Sequence, residues 1–186
     1  STANNKNIFE GKNGKFSDAA YHAVGGLIKH GTEITAVACS TVNSYNGLVP
    51  IVGGFEGGVH TWAPTQMAYG DNNRSCMLRL PQNRFCIENR AADMCMNPYL
   101  SLALTTMAVM DGIKNKINPG KPLNVNLYTL SPEEIKASKI KSLPRNLLEA
   151  IEKLQHDDFA KEVVGESMLN QFFAYKMDEW DRYHQA

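Results

Sequence analysis

An α+β fold is what three stretches of the sequence predict. The first is a hairpin pattern over residues 75–90. The second is a long helical repeat opened by Asn97-Pro98. The third is a run of amphipathic segments from Pro144 onward. Strands gathered in one part of a chain and helices in another are the mark of this class.

The hairpin carries the chemistry. Its strands are expected at 75–80 and 84–90, joined by Pro81-Gln82-Asn83, because proline cannot continue a central strand and asparagine tolerates turn geometry. Strand side chains alternate faces, so Arg84, Cys86, Glu88 and Arg90 share one face and Phe85 and Ile87 the other. On the first strand Met77 and Arg79 lie opposite Cys76, Leu78 and Leu80. Arg79, Glu88 and Arg90 are therefore expected on one charged face, backed by an apolar one. A solvated face with ordinary ion pairs is the plain reading. The alternative is a built anion site, since the guanidinium fork matches carboxylate and phosphate.

The rest follows in order. Residues 1–16 read as a polar loop. Ser17 caps a helix over 17–30, with Ala20, Val24, Leu27 and Ile28 as its stripe and Gly31 as its stop. His30 falls at the helix C-terminus, where a cation is favoured. Thr32 is expected to cap a short second helix ending near Cys39. Residues 40–60 form a loop rich in glycine, with Glu56 among Gly53, Gly54, Gly57 and Gly58. Trp62 reads as a core or interface tryptophan. Asn97 and Pro98 open a helix to about residue 116, expected to be buried nearly all round over its first half, its methionines core filler. Residues 118–131 are a Pro/Gly loop in which Tyr128 is a surface tyrosine. Pro132 and Pro144 each open a helix, Asp157 or Asp158 caps another, and Gly165 breaks before a last helix over 166–184.

The composition excludes some classes. The 186 residues carry 19 basic and 19 acidic side chains, which argues against an electrostatic nucleic-acid binder. The apolar run over 100–110 is too short to span a bilayer, and no signal peptide is visible. Four cysteines lack metal spacing, and although Cys76 and Cys86 could face each other across the hairpin, reduced thiols in a cytoplasmic protein are expected.

Six stretches in series resemble the glutamine synthetase family. They are NSYNGLVP at 43–50, NNRSCMLRLP and IENRAAD in the hairpin, MNPYL, DGIKNKINPGKP at 111–122 and NLYTLSPEE at 126–134. The resemblance is closest in character to the glutamate–amine ligase branch, through TWAP and YGDNNRS. It implies a curved antiparallel sheet covered by helices. It also implies an ATP-dependent ligase that joins ammonia or a small amine to an acid side chain, using ATP with Mg²⁺ or Mn²⁺. Arg74 and Arg79 would contact phosphates, Glu88 would ligate the metal, and Arg90 would hold the reacting carboxylate. Glu56 would take a proton from the amine, although the family's P-G-[YF]-E-A-P reads PIVGGFEGG here. The family's arginine for the substrate α-carboxylate is replaced by Gly47. Tyr128 stands where some relatives carry an adenylylated tyrosine, and Lys176, Glu179 and Trp180 resemble a packing element. The resemblance further implies a homo-oligomer of stacked rings and an upstream β-grasp domain, so that 1–186 is the C-terminal part of a catalytic domain, inactive alone. A catalytically silent relative is the competing reading.

Overall fold

The structure is a computed structural model that describes residues 6–48, 63–138 and 140–185. Helix α1 (Asp18–Lys29) starts as expected, because Ser17 Oγ accepts from the Ala20 amide at 3.2 Å. Its buried face meets α3 (Pro98–Lys114), which Asn97 caps by accepting from the Tyr99 and Leu100 amides. The crossing is built on bare backbone. A Cβ on Gly26 would fall 2.0 Å from the Ala108 carbonyl oxygen, and one on Gly112 would fall 2.2 Å from that of His22. Glycine, a weak helix former, is used here for close approach.

The next turn departs from expectation. Helix α2 (Gly31–Ala38) follows α1 directly, with His30 between them, and no side chain caps it, so Thr32 lies inside α2 instead of before it. Gly31 is there for space: a Cβ would sit 2.8 Å from Met67 Sδ. His30 also does more than meet the dipole of α1. Its buried ring stacks on Phe159 at 3.7 Å, and its Nε2 lies 2.8 Å from Asp111 Oδ2, which Lys29 Nζ also reaches at 2.9 Å. The His30 and Lys29 hydrogen bonds hold the Asp111 carboxyl at about 2. A carboxyl depressed in the folded state contributes stability above its unfolded value of about 3.9, and that contribution disappears as pH falls through the folded value. We expect stability to fall between about pH 4 and about pH 2 in the native protein and to fall less steeply in Asp111→Asn, as read by urea midpoints across that range.

The sheet has three strands in the order β1 (Gln66–Asp71), β2 (Cys76–Leu80), β3 (Glu88–Asn89). The hairpin pairing is antiparallel, with Leu78 opposite Asn89 and Arg79 opposite Glu88. The second strand is shorter than the expected 84–90. Phe85 leaves the ladder to pack edge-on against Phe16 at 5.4 Å, and its carbonyl accepts from Asn7. β1 is not among the expected elements, and it pairs with β2 in parallel, so the described sheet is mixed. Parallel neighbours usually need a crossover of a dozen residues. Here residues 72–75 suffice. Asn72 takes a left-handed φ of 57°, and Asn73 ties the returning chain to the Leu123 and Val125 carbonyls at 2.7 and 2.8 Å. Gly70 leaves room, since a Cβ there would stand 2.6 Å from that of Asn73.

Helix α3 is buried along one side only, at Ser101, Leu104, Ala108 and Gly112. Tyr99, Leu102, Met107 and Met110 are exposed, which corrects the expectation of a helix enclosed all round and of methionines as core filler. Helix α4 (Pro132–Ala137) opens on a capping box of Ser131 and Glu134. Helix α5 (Leu147–Gln155) begins after Asn146, not at Pro144, because the Asn146 side chain accepts from the Glu149 amide. Asp157 caps α6 (Asp158–Val164), and Gly165, at φ 84°, breaks before α7 (Glu166–Gln185), as expected. The packing element of α7 is present: Lys176 is buried against Glu179 at 2.9 Å, and Glu179 accepts from the Val42 amide at 3.0 Å. No helix of the described residues is long and apolar enough to cross a membrane.

Candidate functional site

β2 and β3 bring three of the expected residues together. Arg79 Nη1 lies 2.7 Å from Glu88 Oε2, and Arg90 Nη1 lies 3.3 Å from Glu88 Oε1. One carboxylate therefore holds two guanidinium groups, one on each oxygen. Register explains this: Arg79 and Glu88 are cross-strand partners, and Arg90 lies one pleat beyond Glu88. All three side chains are less than a third exposed, so the pairs are shielded more than ordinary surface ones. Each guanidinium is anchored a second time. Arg79 Nε donates to Asn72 Oδ1 at 3.1 Å, and Arg90 Nε donates to the Arg74 carbonyl at 3.1 Å.

Arg74 and Arg84 stand at the rim. Arg84 reaches Glu88 only at 3.8 Å. The Arg74 side chain is exposed and makes no ion pair among the described residues. Three guanidinium groups thus lie within 4 Å of the carboxylate of Glu88, a surplus of positive charge suited to an anionic ligand. Glu56 and Trp62 lie outside the described residues.

Sequence reasoning missed several neighbours. Asn72 has no role in the sequence reading, yet it orients Arg79. Arg90 lines a cleft of 180 Å³ together with Ser44, Leu48, Ala63 and Asp93. Hydrogen bonds from the Ser44 hydroxyl and the Cys95 amide hold the Asp93 carboxyl below its usual range. Ser44 belongs to a 3-10 segment, Val42–Gly47, capped by Thr41. Tyr128 is half-buried, not a plain surface residue, and its hydroxyl donates to the Ala63 carbonyl. Burial raises its pKa, and the nearby Arg90 charge opposes that rise.

All four cysteines are free, and no Cys76–Cys86 bridge forms. Among the described residues, no group of three His, Cys, Asp or Glu side chains is placed to hold a metal ion. Glu88 alone does not make a divalent-cation site, which needs about six oxygen ligands, and both of its oxygens face arginine.

A family model described as "Glutamine synthetase, catalytic domain" matches residues 1–186. The chain is 42% identical over 172 residues to a glutamine synthetase of Methanosarcina mazei, covering 91% of this chain and 36% of that protein. It is also 42% identical over 182 residues to a glutamate–methylamine ligase of Methyloversatilis universalis, covering 96% of this chain and 40% of the other. Among solved structures it is similar to a GmaS/ADP complex, with a TM-score of 0.82, 34% identity, and coverage of 100% of this chain and 41% of that one. Similarity to apo GmaS without ligand gives a TM-score of 0.77 at 32% identity, over 100% of this chain and 40% of that one. The chain spans about two-fifths of the length of these relatives.

Proposed function

The chain belongs to the family of glutamine synthetase catalytic domains, and from that premise we propose that the complete protein is an ATP-dependent ligase. It joins ammonia or a small amine to the side-chain carboxylate of glutamate or a similar acid. The observation that carries the reading is the pairing of Arg79 and Arg90 through Glu88, at the positions where the family resemblance puts phosphate and carboxylate recognition.

In the proposed reaction a carboxylate oxygen of the acid attacks the γ-phosphorus of ATP. The P–O bond to ADP breaks, and an acyl phosphate forms. The amine nitrogen then attacks the acyl carbon, and phosphate leaves with the carboxylate oxygen. Arg90 holds the carboxylate of the acid. Arg79 and Arg74 face the phosphoryl oxygens, where fixed positive charge favours the transition state. Glu56 takes the proton that the attacking amine releases. The cofactors are ATP with Mg²⁺ or Mn²⁺. The family resemblance makes Glu88 the ligand that this chain would offer the metal, a role in which it would exchange an arginine contact for the ion.

We also place a β-grasp domain upstream, and the protein in the cytoplasm as a homo-oligomer of stacked rings. The apolar side chains that α3 leaves exposed support an assembled state: Tyr99 at 83%, Leu102 at 63% and Met110 at 54%.

The test is phosphate release from ATP by the complete protein with Mg²⁺ and glutamate, comparing no amine, ammonia, methylamine and ethylamine. Release that requires both acid and amine supports the ligase. Nucleotide binding with no release, across a panel of acids, would identify a silent relative instead.

A further inference from the structure

The backbone of Tyr128 is placed by its neighbours in the chain. It sits in a single 3-10 turn, Leu127–Thr129, capped by Asn126. Leu127 is buried beside Ala68 and Cys76, and its amide donates to Ser75 Oγ at 3.0 Å. The turn is therefore fixed to the start of β2, the strand that carries Arg79. From this base the Tyr128 side chain crosses to Ala63, and its hydroxyl donates to the Ala63 carbonyl.

Ala63 matters because of where it lies. It walls the 180 Å³ cleft that also holds Arg90, Ser44, Leu48 and Asp93. The next anchor of that strand entry is two residues on, where the Leu143 amide donates to the Thr65 carbonyl at 2.9 Å. The Tyr128 hydroxyl thus fixes one wall of the cleft that Arg90 also lines. The phenol is also close enough to Arg90 for the guanidinium charge to act on it.

We propose that Tyr128 is a positioning residue for the acid-binding cleft: by holding Ala63, a wall of the cleft that Arg90 lines, it sets the space in which the substrate carboxylate meets the guanidinium. The proposal rests on the ligase reading. Tyr128 acts through Ala63 and the cleft that Arg90 lines. Its effect falls on the acid and not on the nucleotide.

The experiment compares Tyr128→Phe with the native complete protein, and uses Tyr175→Phe, an exposed tyrosine of α7, as the control. Loss of one such hydrogen bond is expected to raise KM for the acid about 5- to 10-fold. KM for ATP and the thermal midpoint stay at native values, and kcat falls less than KM rises. Tyr175→Phe matches the native protein throughout. Unchanged KM for the acid overturns the proposal. So does a lowered midpoint with parallel shifts in both KM values, which is what a purely structural tyrosine gives. If the native protein shows no turnover with any acid, the ligase reading fails and this proposal fails with it; if turnover is native-like in Tyr128→Phe, only the proposal fails.

Discussion

Glu88→Gln in the complete protein is expected to cut amine-dependent phosphate release roughly 100- to 1,000-fold, a loss of about 3–4 kcal/mol in transition-state stabilisation. The reason lies in the pairing. Glu88 presents one oxygen to Arg79 at 2.7 Å and the other to Arg90 at 3.3 Å. An amide keeps one acceptor and turns a donor NH₂ group toward the other guanidinium. One arginine loses its charged partner and keeps only its other anchor, and a displacement of about 1 Å from the productive position is enough to cost about 100-fold. The substitution conserves shape, and the side chain is 29% exposed, so the fold is expected to survive. Steady-state rates together with a thermal midpoint check this. A Glu88→Gln protein with native turnover would mean that the carboxylate is an ordinary surface partner of Arg79 and Arg90.

Gly112→Val is expected to cost about 3 kcal/mol of stability, at the upper end of the usual range for overpacking. The α1–α3 crossing has no slack. A Cβ at Gly112 would meet the His22 carbonyl oxygen at 2.2 Å and the Gly26 amide nitrogen at 2.8 Å, all of it backbone that cannot rotate away. Separating the helices would open the core around Val24, Leu104 and Ala108, which are fully buried. Urea unfolding followed by circular dichroism measures the loss, and a shift below about 1 kcal/mol would contradict the close contact.

Much of this architecture is legible in local signals of the sequence. Ser17, Asn97, Asp157 and Gly165 mark helix ends by the hydrogen bonds and dihedral freedom of their residue types, and each does so here. Period-two alternation puts Arg79, Glu88 and Arg90 on one face, and the register brings them into contact. What escapes sequence reasoning is tertiary. The pairing of β1 with β2 depends on Asn72 and Asn73 closing a return of four residues, which no periodicity reports. An apolar pattern overstates the burial of α3, because apolar residues need not be inside, and Leu102 and Met110 face outward. Tyr128 and Asp93 are unreadable as neighbours of Arg90, because only the fold of residues 123–129 and 90–97 brings them there.

The central claim is that a substrate carboxylate is activated by phosphoryl transfer beside Arg79 and Arg90. The most direct measurement uses an acid labelled with ¹⁸O in the reacting carboxylate, incubated with the complete protein, ATP, Mg²⁺ and the amine that supports turnover. An acyl phosphate leaves one carboxylate oxygen on the phosphate, so each phosphate released with amide formation carries one ¹⁸O. Unlabelled phosphate accompanying amide formation would contradict the account, because the carboxylate would never have been phosphorylated.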